Sequence, residues 1–144
     1  MRDAQAKVTY LKDYQPSAFN IESTSLVFVL HQQSTRVLSR LKLVKNPNAN
    51  VDGNVLGLQG EQLHLLRIEI DGEALPVHAY QQTENGLIIR DVPERFELFT
   101  EVEINPEANK ALEGLYLSDG MFCTQCEAEG FRRITFYIDR PDVM

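Results

Sequence analysis

The run Cys123-Thr124-Gln125-Cys126-Glu127-Ala128-Glu129-Gly130 holds the side chains best suited to chemistry in this 144-residue sequence. Two chemistries compete for it. The Cys-x-x-Cys spacing of Cys123 and Cys126 suits zinc or a redox dithiol. A structural zinc site needs four ligands, and there is no second Cys pair. A thioredoxin-type dithiol precedes a helix in a βαβ unit, whereas the pattern here is all-β. Two small packed side chains in a reduced protein are the plainer reading. The second chemistry belongs to the amide and the acids. In an extended chain, residues i and i+2 project to the same side. Gln125 and Glu127 would then point together, with Glu129 next along. An amide oxygen beside a carboxylate is rich in acceptors. Such a pair suits a primary ammonium group, which brings three donors and a charge. The plainer alternative is a solvated polar loop, since exposed Glu and Gln are the rule.

Composition excludes several other functions. Fourteen Lys+Arg against 21 Asp+Glu leave a net charge of −7. That balance argues against binding nucleic acid or an anionic membrane, which both need a basic footprint. A hydrophobic fraction of 43% is too high for a disordered chain at this charge density. One domain is the natural reading of the length. No apolar run approaches the roughly 18 residues of a membrane span. Met1–Lys7 is polar and lacks the apolar core of a signal peptide. Two cysteines make no disulfide framework, and no Asn-x-Ser/Thr occurs. A reducing, cytoplasmic setting follows. His31, His64 and His78 lack metal spacing, and neither His-Glu-x-x-His nor Gly-x-Ser-x-Gly is present. The chain has no complete catalytic set of its own.

The elements that must position Gln125 and Glu127 read mostly as strands. Leu26, Phe28 and Leu30 alternate with Val27, Val29 and His31, and a second alternation runs from Thr35 to Leu43, which predicts a hairpin. Asn46-Pro47, Asp52-Gly53, Gly57 and Gly60 mark a loop with one short strand at Val55–Leu58. Leu66, Ile68 and Ile70 predict the apolar face of a further strand, ended by Asp71-Gly72. Strands are also predicted over Val77–Gln81, Gly86–Arg90, Phe96–Ile104 and Ile134–Ile138. Only residues 106–114, after Pro106, suggest helix, and one or two turns at most. Short strands at this spacing predict an antiparallel sandwich or barrel. Ile134–Ile138 runs straight into the charged turn Asp139-Arg140-Pro141-Asp142, and the chain stops at Met144. A domain rarely finishes this way, so the sequence reads as a piece of a longer protein.

Three blocks carry a family resemblance. They are Ala111-Leu112-Glu113-Gly114-Leu115-Tyr116, Cys123 through Thr135, and Asp139-Arg140-Pro141-Asp142-Val143. Together they closely resemble bacterial aminopeptidase N, a zinc-dependent gluzincin exopeptidase. The likeness extends more weakly over the rest, including Leu58-Gln59-Gly60-Glu61 and Val92-Pro93-Glu94-Arg95-Phe96. The resemblance implies an all-β, saddle-like, two-sheet antiparallel sandwich spanning residues 1–144, the N-terminal domain of a multidomain enzyme. It implies that Gln125 and Glu127 grip the free α-amino group of a peptide substrate, at the edge of a cleft facing the catalytic domain. Glu129 and Tyr116 are candidates for lining that cleft. The zinc helix, its distal Glu ligand and a further amine-binding Glu would lie beyond residue 144. The chain would thus hold no catalytic residue and no metal, and be inactive alone. In the parent enzyme, zinc would polarise the scissile carbonyl and activate water. An ammonium anchored at a fixed distance from that metal would present only the first peptide bond.

Other residues read more plainly. Arg132 and Arg133 are expected to pair with Asp139 and Asp142, and Tyr116 and Phe136 to serve packing before ligand binding. A surface shaped for a neighbouring domain predicts self-association of the isolated piece. The rival readings are a free-standing β-sandwich interaction module without catalysis, and a small metal or redox protein using Cys123 and Cys126.

Overall fold

The period-two alternation read from the sequence builds the largest sheet. A computed structural model describes residues 10–49 and 53–143. The polar Met1–Lys7 stretch, and Asp52 of the Asp52-Gly53 turn, lie outside the described residues. Ten strands follow in order: β1 (Phe19–Val29), β2 (Thr35–Lys45), β3 (Leu56–Gln59), β4 (His64–Ile70), β5 (Glu73–Ala74), β6 (Tyr80–Thr83), β7 (Gly86–Ile89), β8 (Arg95–Ile104), β9 (Gly114–Ser118) and β10 (Met121–Gln125). All their pairings are antiparallel. The large sheet runs β1-β2-β8-β4-β5, and a second runs β3-β7-β6. The β9–β10 hairpin stands as a two-stranded ribbon. The fold is thus all-β, as expected, with this ribbon added to the two anticipated sheets.

At the centre, β2 and β8 set Val37 opposite Val102, Leu41 opposite Leu98 and Leu43 opposite Phe96. These side chains join Leu56, Leu58, Leu87 and Ile89 of the second sheet in one hydrophobic cluster. Removing that apolar surface from water is the main favourable contribution to the fold. Phe99 lies between Glu97 and Glu101 on the outer face of β8, yet it is only 3% exposed. The guanidinium groups of Arg40 and Arg67 cover its ring at 4.7 and 4.6 Å. Cation–π attraction thereby covers an apolar ring on a solvent face.

Four expectations change. In β4 a bulge falls between Leu65 and Arg67. Two residues there face one on β8, which shifts the alternation. Leu66 turns outward and is 42% exposed, while Leu65 packs on the core. Residues 106–113 form a turn and irregular chain rather than helix, and Gly114 already begins β9; Asn109 Nδ2 stitches the segment by donating to the carbonyls of Glu113 and Leu115. Val77–Ala79 is a 3-10 turn leading into β6, with two further 3-10 turns at Leu11–Asp13 and Phe131–Arg133. Ile134, Phe136 and Ile138 are buried, as their alternation predicts, but the segment meets β3 through an isolated Gln59–Tyr137 bridge instead of forming a ladder. Among the described residues, no helix is long and apolar enough to cross a membrane.

Candidate substrate-amine site

The β9–β10 hairpin delivers the candidate residues. Its turn, Asp119-Gly120, has φ of 51° and 76°. Positive φ at both central positions is what a tight hairpin turn needs, and Asp-Gly supplies it. The hairpin register then sets Tyr116 opposite Cys123 and Gln125 opposite Gly114.

Beyond Gln125 the chain bends through residues 127–129 and folds back onto the base of the hairpin. Two glycines permit this. At Gly130, with φ of 149°, a Cβ would lie 2.9 Å from the Gln125 carbonyl oxygen and 3.1 Å from the Cys126 Cα. At Gly114, with φ of 73°, a Cβ would lie 2.7 Å from the Arg133 Cβ. Both backbones sit where only glycine is unstrained.

The returning strand of chain is caught by Asp139, which is 6% exposed. Its Oδ2 accepts from the backbone N–H groups of Gly130 (3.0 Å) and Arg132 (3.2 Å), and from Arg132 Nε (2.7 Å). The Asp139 N–H donates to Gln59 Oε1 on β3 at 2.9 Å. Arg132 Nη2 donates to the Asp139 carbonyl at 3.0 Å and pairs with Glu129 Oε2 at 2.8 Å. Burial works to lower the Arg132 pKa, but the Asp139 hydrogen bond and the Glu129 and Asp139 charges outweigh it and raise it. Arg132 is therefore a fixed cation, neutralised by two acids.

The candidates have unequal surroundings. Gln125, at the end of β10, and Glu127 and Glu129, in the loop that follows, are all exposed, and Tyr116 is half-buried on the neighbouring strand. Glu129 is engaged by Arg132, whereas Glu127 makes no ion pair among the described residues. The extended-chain argument holds only as far as Gln125, because the strand ends there. A shallow cavity of about 260 Å³ lies beneath the loop, lined by Cys126, Ala128, Phe131, Tyr137 and Val143 among others. A larger cleft of about 430 Å³ lies elsewhere, between Glu61, Gln82, Glu84 and Arg133. Neither is lined by Gln125 or Glu127. Volume therefore does not mark the candidate residues.

The neighbouring expectations fare variously. Arg132 pairs with Asp139 as anticipated, but Arg133 reaches Glu61 (2.9 Å) and Glu113 (3.4 Å) rather than Asp142. Asp142 pairs instead with Arg140 at 2.8 Å and accepts from the Tyr14 hydroxyl at 2.8 Å. Both cysteines are free and half-buried. Burial, and then the Asp139 charge, push the Cys126 thiol up, which opposes a reactive thiolate. Among the described residues, no three His, Cys, Asp or Glu side chains gather as metal donors. The sequence reading missed the role of Gln59. It lies in a block already quoted for its resemblance, but its contact with Asp139 spans most of the chain.

No family model matches the chain. Aminopeptidase N of Caulobacter vibrioides is 49% identical over 144 residues, covering 100% of this chain and 16% of that protein. The Escherichia coli aminopeptidase N is 43% identical over 97% of this chain and 16% of its own length. That of Haemophilus influenzae is 36% identical over 96% of this chain, again 16% of its own length. The chain thus spans about 16% of the length of these relatives. Among solved structures, Legionella pneumophila aminopeptidase A in complex with aspartic acid matches with a TM-score of 0.82 and 26% identity, over 90% of this chain and 15% of that one. An M1 zinc metallopeptidase from Deinococcus radiodurans shares the fold, with a TM-score of 0.70 and 14% identity, over 88% of this chain and 30% of that one. Along its whole length, the chain matches the N-terminal 16% of bacterial aminopeptidase N.

Proposed function

We propose that the chain is the N-terminal domain of a cytoplasmic, multidomain zinc aminopeptidase that removes N-terminal residues from peptides. Its part is to bind the substrate's free α-ammonium group through Gln125 and Glu127. The observation that carries this is Glu127: an exposed carboxylate with no ion pair among the described residues, two residues beyond the end of β10, in a chain 49% identical over its whole length to an aminopeptidase N. A free carboxylate matches an ammonium in charge, and the amide oxygen of the same segment adds an acceptor for its donors. Zinc would supply Lewis-acid chemistry in the parent enzyme. The donor set of the described residues does not fit a zinc site, so the proposal assigns the metal to a catalytic domain of the same polypeptide, and this chain's role ends at orientation. A substrate tethered by its amine offers its first peptide bond at a fixed distance, which makes an exopeptidase.

Glu127→Ala in the full enzyme should cost about 2–4 kcal/mol in kcat/KM, the scale for truncating one partner of a desolvated charge pair. Near-normal kcat/KM in that variant would overturn the assignment. The isolated chain should not turn over an aminoacyl chromogenic substrate; turnover by the purified chain, with zinc added, would contradict the division of labour.

A further inference from the structure

We infer that Asp139 and Arg132 are positioning residues for the amine-binding loop, and that Glu129 is a tether for that loop rather than a second amine ligand. The inference rests on the proposed role of Glu127. It starts from how the loop is held. One end is fixed by the hairpin register at Gln125 and Gly114. The other end is fixed by Asp139 Oδ2, which gathers two backbone N–H groups and Arg132 Nε on one oxygen. Between these anchors lie only Cys126 to Glu129, and the Glu127, Ala128 and Glu129 side chains are exposed. Such a segment has little apolar burial to hold it, so its position depends on its anchors.

Arg132 divides the two acids of the loop. Its guanidinium bridges Asp139 and Glu129, at 2.7 and 2.8 Å. Its planar fork suits this double duty in a way an ammonium does not. Glu129 is drawn toward the Arg132 side and its carboxylate already has a cationic partner, shared with Asp139. Glu127 is left as the carboxylate free to meet a cation. A substrate ammonium approaching the loop would have to break an existing pair to use Glu129, but none among the described residues to use Glu127. The arrangement selects one acid out of two that the sequence spacing offers alike.

The test uses full-length zinc-loaded enzyme and two probes, L-leucine hydroxamate and its des-amino analogue. Both carry the same metal-binding group, and only the first carries the ammonium. The ratio of their inhibition constants reads the amine contact alone. Asp139→Asn should reduce that ratio about tenfold, as expected when a bound group loses its orientation. It should raise KM for an aminoacyl substrate more than it lowers kcat. Glu129→Gln should leave the ratio within about twofold of the parent enzyme, the additivity limit for an uninvolved site. If Asp139→Asn does not fold, Arg132→Lys, which keeps the cation but loses the fork, should still reduce the ratio. A purely structural role predicts lower melting temperatures with the ratio unchanged in both variants, and that result overturns the inference. A Glu129→Gln ratio as low as that of Glu127→Gln overturns the tether. If Glu127→Gln itself leaves the ratio unchanged, the underlying amine-site reading fails instead. If Glu127→Gln abolishes discrimination while folded Arg132→Lys and Asp139→Asn keep it, only the positioning inference fails.

Discussion

In the large sheet, Val37, Leu41, Leu43, Leu98 and Val102 are each at most 1% exposed. Their places are set by many weak, non-directional contacts, and one altered side chain leaves the others in register. Between Gln125 and Gly130 almost everything is exposed, and position rests on one buried carboxylate, one guanidinium and two glycines. The contrast is between redundancy and dependence. The sheet tolerates error because its order is shared. Few groups define the loop, and it is vulnerable for that reason.

That contrast can be broken by substitution. Phe96→Ala should have the largest effect on stability. Phe96 is 4% exposed and meets Phe19 edge-on at 5.9 Å. Its truncation should cost about 3–5 kcal/mol in urea unfolding. The folded fraction of the full enzyme should nonetheless keep its preference for the amine-bearing probe. A changed preference would mean that sheet and loop are not separable. Gly130→Ala should come next, at about 1–3 kcal/mol for a side chain forced into a strained backbone. Its main signature should be loss of amine preference, out of proportion to the fall in melting temperature. Gly130→Ala with full amine preference would show that the loop does not depend on its anchor.

The smallest effect belongs to the clasp between Tyr14 and Asp142. Burial opposes the Asp142 charge, but hydrogen bonds from Tyr14 and Arg140, with the Arg140 charge, together outweigh it and hold its carboxyl below the ordinary value of 3.8. A carboxyl lowered in the folded state stabilises fully above its unfolded value, and this is lost as pH falls through the lowered one. Melting temperatures of the parent chain and Asp142→Asn should therefore differ slightly at neutral pH and converge below pH 3.8. A difference that persists in acid would assign the clasp to something other than the carboxylate charge.

The same contrast explains what could be read from sequence. β2 and β8 were legible because burial on one face writes a period of two directly into residue types. Phe99 sits out of that pattern, since the two guanidiniums that cover it come from β2 and β4. The bulge at Leu66 was illegible for a related reason: an extra residue changes pairing, not composition. Ile134–Ile138 kept its inward alternation without a strand ladder, because periodicity reports burial and not hydrogen bonding. At the site, residue types and spacing brought Gln125, Glu127 and Glu129 forward together, and the family resemblance chose Gln125 and Glu127. Nothing in the spacing could separate Glu127 from Glu129. Their different surroundings come from Arg132, which pairs with Glu129 and Asp139 and folds back from later in the chain.

One contact also sets an order of events. The bond from the Asp139 N–H to Gln59 Oε1 joins residues 80 positions apart. Closing so long a loop is entropically costly before other structure brings its ends together. The hairpin, turned by Asp119-Gly120, can close locally and early. The Asp139 cradle needs β3 already docked. During refolding the chain should thus acquire its strands first and the geometry of the Gln125–Gly130 loop last. The amide hydrogens of Gly130 and Arg132 should gain protection from exchange later than those of β2 and β8.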